Sequence, residues 1–276
     1  MFLKKHGRHH PCCGGACLIA RTGCSLNMLP VSVTLIVGPS VLWFSAAPPL
    51  GAAAAGAGLL LLSLANLFAC YLTEPGLLHV VDAPSMAPDE RPRKLVVMPG
   101  ASGPPQELVD FRAKFCRETG NVVEVFDHFC PWTGNAVGRR NYRYYFSFLV
   151  FTTALALVVG ISSANAAMAS TGGGAPGPSV YVWWVLVLFT VIILLLVGGL
   201  LSYHIPLVSS NRTTNEMIKD VYGTKANPYD KGCCRNWVNF LSTLLQRPRP
   251  SYFESNSSGS SGDWEEDTAG LLTAGA

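Results

Sequence analysis

Charge is scarce in this chain. Only 13% of its 276 residues are Asp, Glu, Lys or Arg, against an apolar share of 49% and a mean hydropathy of +0.31. That balance excludes an ordinary soluble domain and puts the chain in the membrane class. Four windows, Met28–Ala47, Leu50–Leu72, Tyr144–Met168 and Tyr181–Tyr203, contain no Lys, Arg, Asp or Glu, and each is close to the ~20 residues that cross hydrocarbon. Ion and proton pathways carry charge inside the membrane, so its absence argues against a charged-relay transporter or pump. No repeat of 20 to 50 residues is visible, which excludes a solenoid.

Basic residues are missing from two places, the short stretch around Pro48 and Pro49 and the segment from Ala169 to Val180. All 20 lie elsewhere: four in the N-terminal tail, nine between Thr73 and Arg143, and seven from His204 onward. The positive-inside rule then predicts that both tails and the long central loop are cytosolic. A cleaved signal peptide ending near Ala47 fits less well, because the basic region before it is too long, so a signal anchor is expected. On this topology eight of the nine cysteines face the cytosol, where thiols stay reduced.

The expected organisation is an all-α integral membrane protein. A basic Cys/His tail (1–27) precedes two transmembrane helices (28–72), a cytosolic loop domain (73–143) and two more helices (144–203). A cytosolic region follows (204–250), carrying an amphipathic element, and then a Ser/Gly-rich disordered tail (251–276). Thr73, Glu74, Pro75 and Gly76 break the chain at the membrane exit, and residues 77–106 are Pro-rich and mostly irregular. Apolar residues from Leu108 to Phe126 suggest a small core without a clear helix or strand period.

Asp127–Tyr142 reads DHFCPWTGNAVGRRNY, just before the third window. A free cysteine of pKa ~8.5 is only ~3% thiolate at pH 7, so a nucleophilic Cys130 needs a base or a positive field. His128 can supply it, because positions i and i+2 of an extended chain share a face, roughly 6 to 7 Å apart. Pro131 biases Cys130 toward that extended conformation. Asp127 can fix the imidazole tautomer and stabilise the imidazolium. Arg139, Arg140 and Arg143 are placed to bind phosphates or to anchor the interface, while Trp132 fits interfacial packing. Thr213, Thr214 and Glu216 have the pattern of a helix N-cap with an acidic first turn, compatible with positioning the Asp127 region. Asn236 reads as a capping or hydrogen-bonding residue. Cys12, Cys13, Cys17 and Cys24, and Cys233 with Cys234, are juxtamembrane thiols open to S-acylation or simply unmodified.

With these residues in view, the chain resembles the DHHC family of protein S-acyltransferases over about residues 28–245. Besides Asp127–Tyr142, Glu74-Pro75-Gly76 resembles the family's DPG, Thr213-Thr214-Asn215-Glu216 its TTxE, and Asn227–Gly232 with Asn236 and Phe240 its PaCCT element. The resemblance implies that Cys130 takes an acyl group from palmitoyl-CoA or another long-chain acyl-CoA and passes it to a substrate cysteine. It implies catalytic roles for Cys130, His128 and Asp127, acyl-CoA binding by Arg139, Arg140 and Arg143, and support from Thr213, Thr214, Glu216 and Asn236. Its implied partners are the lipid bilayer and cytosol-facing proteins with cysteines near a membrane, not nucleic acid. The implied location is the ER, Golgi or plasma membrane.

The chain departs from the family's two-zinc cysteine-rich domain. Phe115, Thr119, Val122, Phe129 and Ala136 occupy expected ligand slots, only Cys116 remains, and the upstream CxxC is absent. A structural zinc needs four ligands, so zinc is expected to be absent and a hydrophobic mini-core to organise the loop. The alternative to an active enzyme is a catalytically silent scaffold or adaptor of the same fold.

Overall fold

The computed structural model of the chain describes residues 9–12, 17–20, 27–78, 95–97, 106–108, 112–171 and 178–245. The expected tail 251–276 lies outside the described residues, as do most of the N-terminal tail and most of the Pro-rich stretch.

Among the described residues seven helices carry the architecture: α1 (Leu29–Ser45), α2 (Leu50–Leu72), α3 (Tyr142–Thr171), α4 (Pro178–Ile193), α5 (Gly199–Ser209), α6 (Thr214–Ile218) and α7 (Cys233–Leu245). Pro30 opens α1, where its missing N–H is no loss. A π-helical turn, Leu194–Gly198, joins α4 to α5 without a break. Three stretches are long and apolar enough to cross a membrane: Leu50–Leu72, Tyr142–Ser170 and Val180–Ser209. The apolar α1 is shorter, at 17 residues.

The third stretch continues six residues past the expected end at Tyr203, carrying His204 and Pro206 inside the helix. A proline ends a helix only if its ring clash and missing N–H are not relieved, and here the ladder resumes beyond Pro206 to Ser209.

Polar side chains tie the helices together. Trp43 is fully buried, lies over Gly56 and donates to Ser162 Oγ at 3.0 Å. The Ser63 and Thr152 hydroxyls bond at 2.6 Å in the interior. Such pairs hold helices where the hydrophobic effect between apolar faces is weak. The apolar centre is built from Ile36, Leu67, Leu149, Leu155, Val159 and Leu186.

Among the described residues, strands occur in the N-terminal tail and in the central loop, a departure from a wholly helical fold. In chain order the strands are β1 (His9–Cys12), β2 (Cys17–Ala20), β3 (Leu77–Leu78), β4 (Leu95–Val97), β5 (Gln106–Leu108), β6 (Lys114–Cys116), β7 (Asn121–Val123), β8 (His128–Cys130) and β9 (Asn135–Val137). All pairing is antiparallel: β1 with β2, β4 with β5, β8 with β9, and β7 between β3 and β6. Strands of two to four residues are too short to leave a period-two signature in sequence.

Candidate active site

The β8–β9 hairpin presents the DHFC run. His128 pairs with Val137, Phe129 with Ala136 and Cys130 with Asn135, so His128 and Cys130 share one face and Phe129 points to the other. Gly134, at φ +67°, closes the turn in a conformation that favours glycine. Gly138 lies where a Cβ would strike the Pro75 carbonyl and Val123, which lets the hairpin approach the membrane exit of α2. Ahead of the hairpin, Val125 sits at φ +47°, a strained conformation for a β-branched residue. Hydrogen bonds from Phe126 N–H to Arg112 O and from Asp127 N–H to Val137 O hold the chain on either side of Asp127.

Asp127 is 2% exposed, and both carboxylate oxygens are engaged: Oδ2 lies 2.6 Å from His128 Nδ1, and Oδ1 accepts the Thr214 N–H at 2.7 Å. Burial alone would raise this carboxyl. The hydrogen bond and charge of His128, with the Thr214 N–H, outweigh burial and hold it below its ordinary value. Burial would likewise depress His128, yet the hydrogen bond of Asp127, that of Cys130 and the charges of both push it up to about 10. Burial would raise the Cys130 thiol. Instead the hydrogen bond and charge of His128, joined by the hydroxyl and N–H of Thr133, lower it. The three directions agree in sense: each favours the charged form, a carboxylate, an imidazolium and a thiolate in a row.

Cys130, 7% exposed, opens onto a cavity of about 520 Å³ among the helices. Its walls are apolar, including Ile36, Leu149, Leu155, Val159 and residues of the π-helical turn. Trp132 and Tyr145 line the same cavity. The start of α1 is stitched to the same turn: Met28 N–H donates to Pro131 O at 3.0 Å and Ser32 Oγ to Trp132 O at 2.8 Å.

Residues 107–221 match the DHHC palmitoyltransferase family. That segment is similar to a DHHC palmitoyltransferase domain. Palmitoyltransferase ZDHHC5 of Canis lupus familiaris is 37% identical over 144 residues, 51% of this chain and 19% of that protein. Its Homo sapiens counterpart is 36% identical over the same length and shares, and palmitoyltransferase ZDHHC8 of Homo sapiens is 36% identical over 137 residues, 49% and 17% of the two chains. The matched segment thus spans about a fifth of these relatives' length.

Within the matched segment Thr213, Thr214, Asn215 and Glu216 support Asp127 through backbone geometry. Thr213 and Glu216 form a reciprocal capping box at the start of α6. The Thr214 N–H so exposed reaches Asp127 Oδ1, and the Asn215 N–H reaches the Asp127 carbonyl at 3.1 Å. Arg112 clamps the Glu216 carboxylate with two bonds of 2.8 and 2.9 Å, both partners being buried. Asn236 ties α7 to the end of α5: it donates to Ser209 O and Asp230 Oδ1 and accepts the Lys231 N–H.

The three arginines expected at donor phosphates all have protein partners. Arg139 pairs with Glu124, Arg140 with Glu74 at 3.0 Å, and Arg143 donates to the Thr243 carbonyl and lies 4.6 Å over the Tyr144 ring. Glu74 also accepts the Leu77 N–H at 2.8 Å, which closes the Glu-Pro-Gly turn onto β3.

The slots where the DHHC family holds zinc do not fit that metal. Phe129 packs against a cluster of Leu77, Cys116, Val123 and Ala136, while Phe115 is half exposed. Cys116 donates its thiol to Glu118 at 3.3 Å, and burial pushes it up to about 11, away from the thiolate a metal requires. Among the described residues no group of three His, Cys, Asp or Glu is arranged to hold a metal ion.

Other site residues lay outside the sequence expectations. Asn135 donates to the Cys70, Tyr71 and Thr73 carbonyls at the end of α2, and Asn141 bridges Gly138 N–H, Ala136 O and Cys70 O. Both stand inside the DHFC run, so their polarity beside an apolar span was the available signal. His204 is 2% exposed near His128, their ring centroids 6.2 Å apart. An ionisable residue at a span's edge is itself a functional pointer.

Proposed function

We propose that this protein is a protein S-palmitoyltransferase, moving a long-chain acyl group from acyl-CoA to a substrate cysteine through an acyl-Cys130 intermediate. The observation that carries this reading is a thiol activated by His128 and Asp127 at the mouth of an apolar cavity. The Cys130 thiolate attacks the thioester carbonyl, and the C=O electron pair moves onto oxygen. Collapse of the tetrahedral adduct breaks the bond to CoA sulfur, which takes the proton held on His128. In the second half-reaction His128 removes the proton of the substrate thiol, whose sulfur displaces Cys130. Each step exchanges one thioester for another, so no energy-coupling cofactor is needed.

Burying the fourteen methylenes of a sixteen-carbon chain is worth ~11 kcal/mol at ~0.8 kcal/mol each, which supports placing the reactive sulfur where cavity and water meet. A four-span topology with both termini and the DHHC domain on the cytosolic side, in the endomembrane system or plasma membrane, fits the distribution of basic residues. On this reading acyl-CoA approaches from the cytosol and the substrates are membrane-proximal protein thiols. Arg139, 43% exposed on its side chain, is the most available of the three arginines for donor phosphates. A hydrophobic cluster, not zinc, organises the loop. Asp127, His128 and Cys130 are assigned catalytic roles, with Thr213, Thr214, Glu216 and Asn236 supporting them.

The test offers a palmitoyl-CoA analogue with a clickable tail to the purified protein. Hydroxylamine-sensitive label is expected on Cys130, absent in Cys130→Ser and retained in Cys116→Ser. Label that survives Cys130→Ser, or none on the wild type, overturns the enzyme and leaves the scaffold reading.

A further inference from the structure

A second polar string runs behind the DHFC hairpin. His204 Nδ1 lies 3.0 Å from the Tyr142 hydroxyl, and its Nε2 lies 3.3 Å from the Tyr145 hydroxyl. His204 and Tyr145 are 2% and 3% exposed. The Tyr145 ring meets the His128 ring edge-on at 5.1 Å and lines the cavity beside Cys130. A neutral imidazole has one N–H and one lone pair, so one tyrosine must donate to it and the other must accept from it. The shorter contact, at Nδ1, suits an O–H donor, because O–H bonds run shorter than N–H bonds. Tyr142 then donates to Nδ1, and the Nε2–H donates to the oxygen of Tyr145. The Tyr145 proton is left with no acceptor among the described residues, on a side chain that lines the same cavity as Cys130.

We infer that Tyr145 is a further catalytic residue, its hydroxyl donating a hydrogen bond to the thioester oxygen as that atom gains negative charge, and that His204 is the positioning residue that turns the hydroxyl toward the cavity. The assignment rests on the acyltransferase reading above. The hydroxyl keeps its proton throughout: the electron pair of the broken C=O bond stays on the thioester oxygen until collapse restores the carbonyl and expels CoA thiolate. Removal of a donor of this kind slows acyl transfer by ~100-fold or more elsewhere. It should leave unchanged a reaction at the same sulfur that builds no oxyanion.

The experiment measures two rates on each purified full-length variant, acylation of Cys130 by alkynyl palmitoyl-CoA and alkylation of Cys130 by iodoacetamide. Tyr145→Phe is expected to lower the maximal acylation rate by ~100-fold, with unchanged half-saturation and an alkylation rate equal to wild type. His204→Gln, which keeps an N–H near the Nε2 position, should retain part of the acylation rate, and His204→Leu should lose it. Equal loss of both rates in Tyr145→Phe overturns the assignment in favour of a packing role, and no loss of either overturns it outright. A wild type that alkylates but never acylates defeats the acyltransferase reading, and this assignment with it.

Discussion

Asp127 has no spare acceptor: one oxygen holds His128 and the other the Thr214 N–H. Its replacement by Asn keeps the size but removes the charge that favours the His128 imidazolium. The sign follows from the directions at the site. His128 stays protonated from its ordinary value of 6.5 up to about 10, and Cys130 ionises below its ordinary 9.0. The thiolate–imidazolium pair therefore exists between the lowered Cys130 value and about 10, and is lost on either side. Wild-type alkylation of Cys130 by iodoacetamide should reach its plateau below pH 9.0, stay flat to about pH 10 and fall on the acid side. In Asp127→Asn the plateau should shrink, with ~10-fold less thiolate at pH 7 for each pKa unit lost and recovery as pH approaches that of an ordinary thiol. An unchanged profile would show that the carboxylate does not set the charge state. The Asp127, His128 and Cys130 trio was legible because its members are contiguous and a two-residue spacing needs only an extended chain. Tyr145 and His204 were not, since 59 residues separate them and both sit at the ends of spans, where aromatics are commonplace.

At the scale of elements, α6 is too short to be stable alone, and tertiary bonds hold it. Its capping box and its two-bond Arg112 clamp converge on Glu216, which also accepts from the Tyr222 hydroxyl at 3.1 Å. Removing one partner of a buried ion pair leaves an uncompensated charge and typically costs ~3–5 kcal/mol, whereas replacing both with apolar groups of similar size is often close to neutral. Arg112→Met should therefore lower the detergent-solubilised protein's melting temperature and slow Cys130 alkylation, because α6 would no longer fix Thr214 against Asp127. Arg112→Met combined with Glu216→Leu should recover part of the stability but not the alkylation rate, as the capping box is lost. Equal melting temperatures for wild type and Arg112→Met would refute the clamp. The N-cap role of Thr213 was readable from its spacing to Glu216. Arg112 was not, because nothing local connects it to a carboxylate 104 residues away, and β6 and β7 were invisible for want of length.

Across the whole molecule the open question is whether α1 crosses the membrane, for at 17 residues it is only about 25 Å long against the ~30 Å of a hydrocarbon core. A shortfall of a few ångströms costs only fractions of a kcal/mol per Å, because the bilayer thins or flanking residues extend. Packing argues for crossing. The start of α1 is bonded to Pro131 and Trp132 of the motif hairpin, while Trp43, near its other end, is buried over Gly56, close to the start of α2. The helix thus runs from the level of the motif hairpin to within two turns of the start of α2, most of the depth that α2 covers. The N-terminus and the DHHC domain should then share a side. Epitope tags at both termini should be reached only after the plasma or organelle membrane is permeabilised, and an N-glycosylation acceptor with a flexible spacer, inserted between α3 and α4, should be modified. An N-terminal tag exposed opposite the C-terminal one would leave α1 lying on the bilayer. The apolar cavity lined by Cys130, partly walled by Ile36 of α1, would then open to lipid along one side.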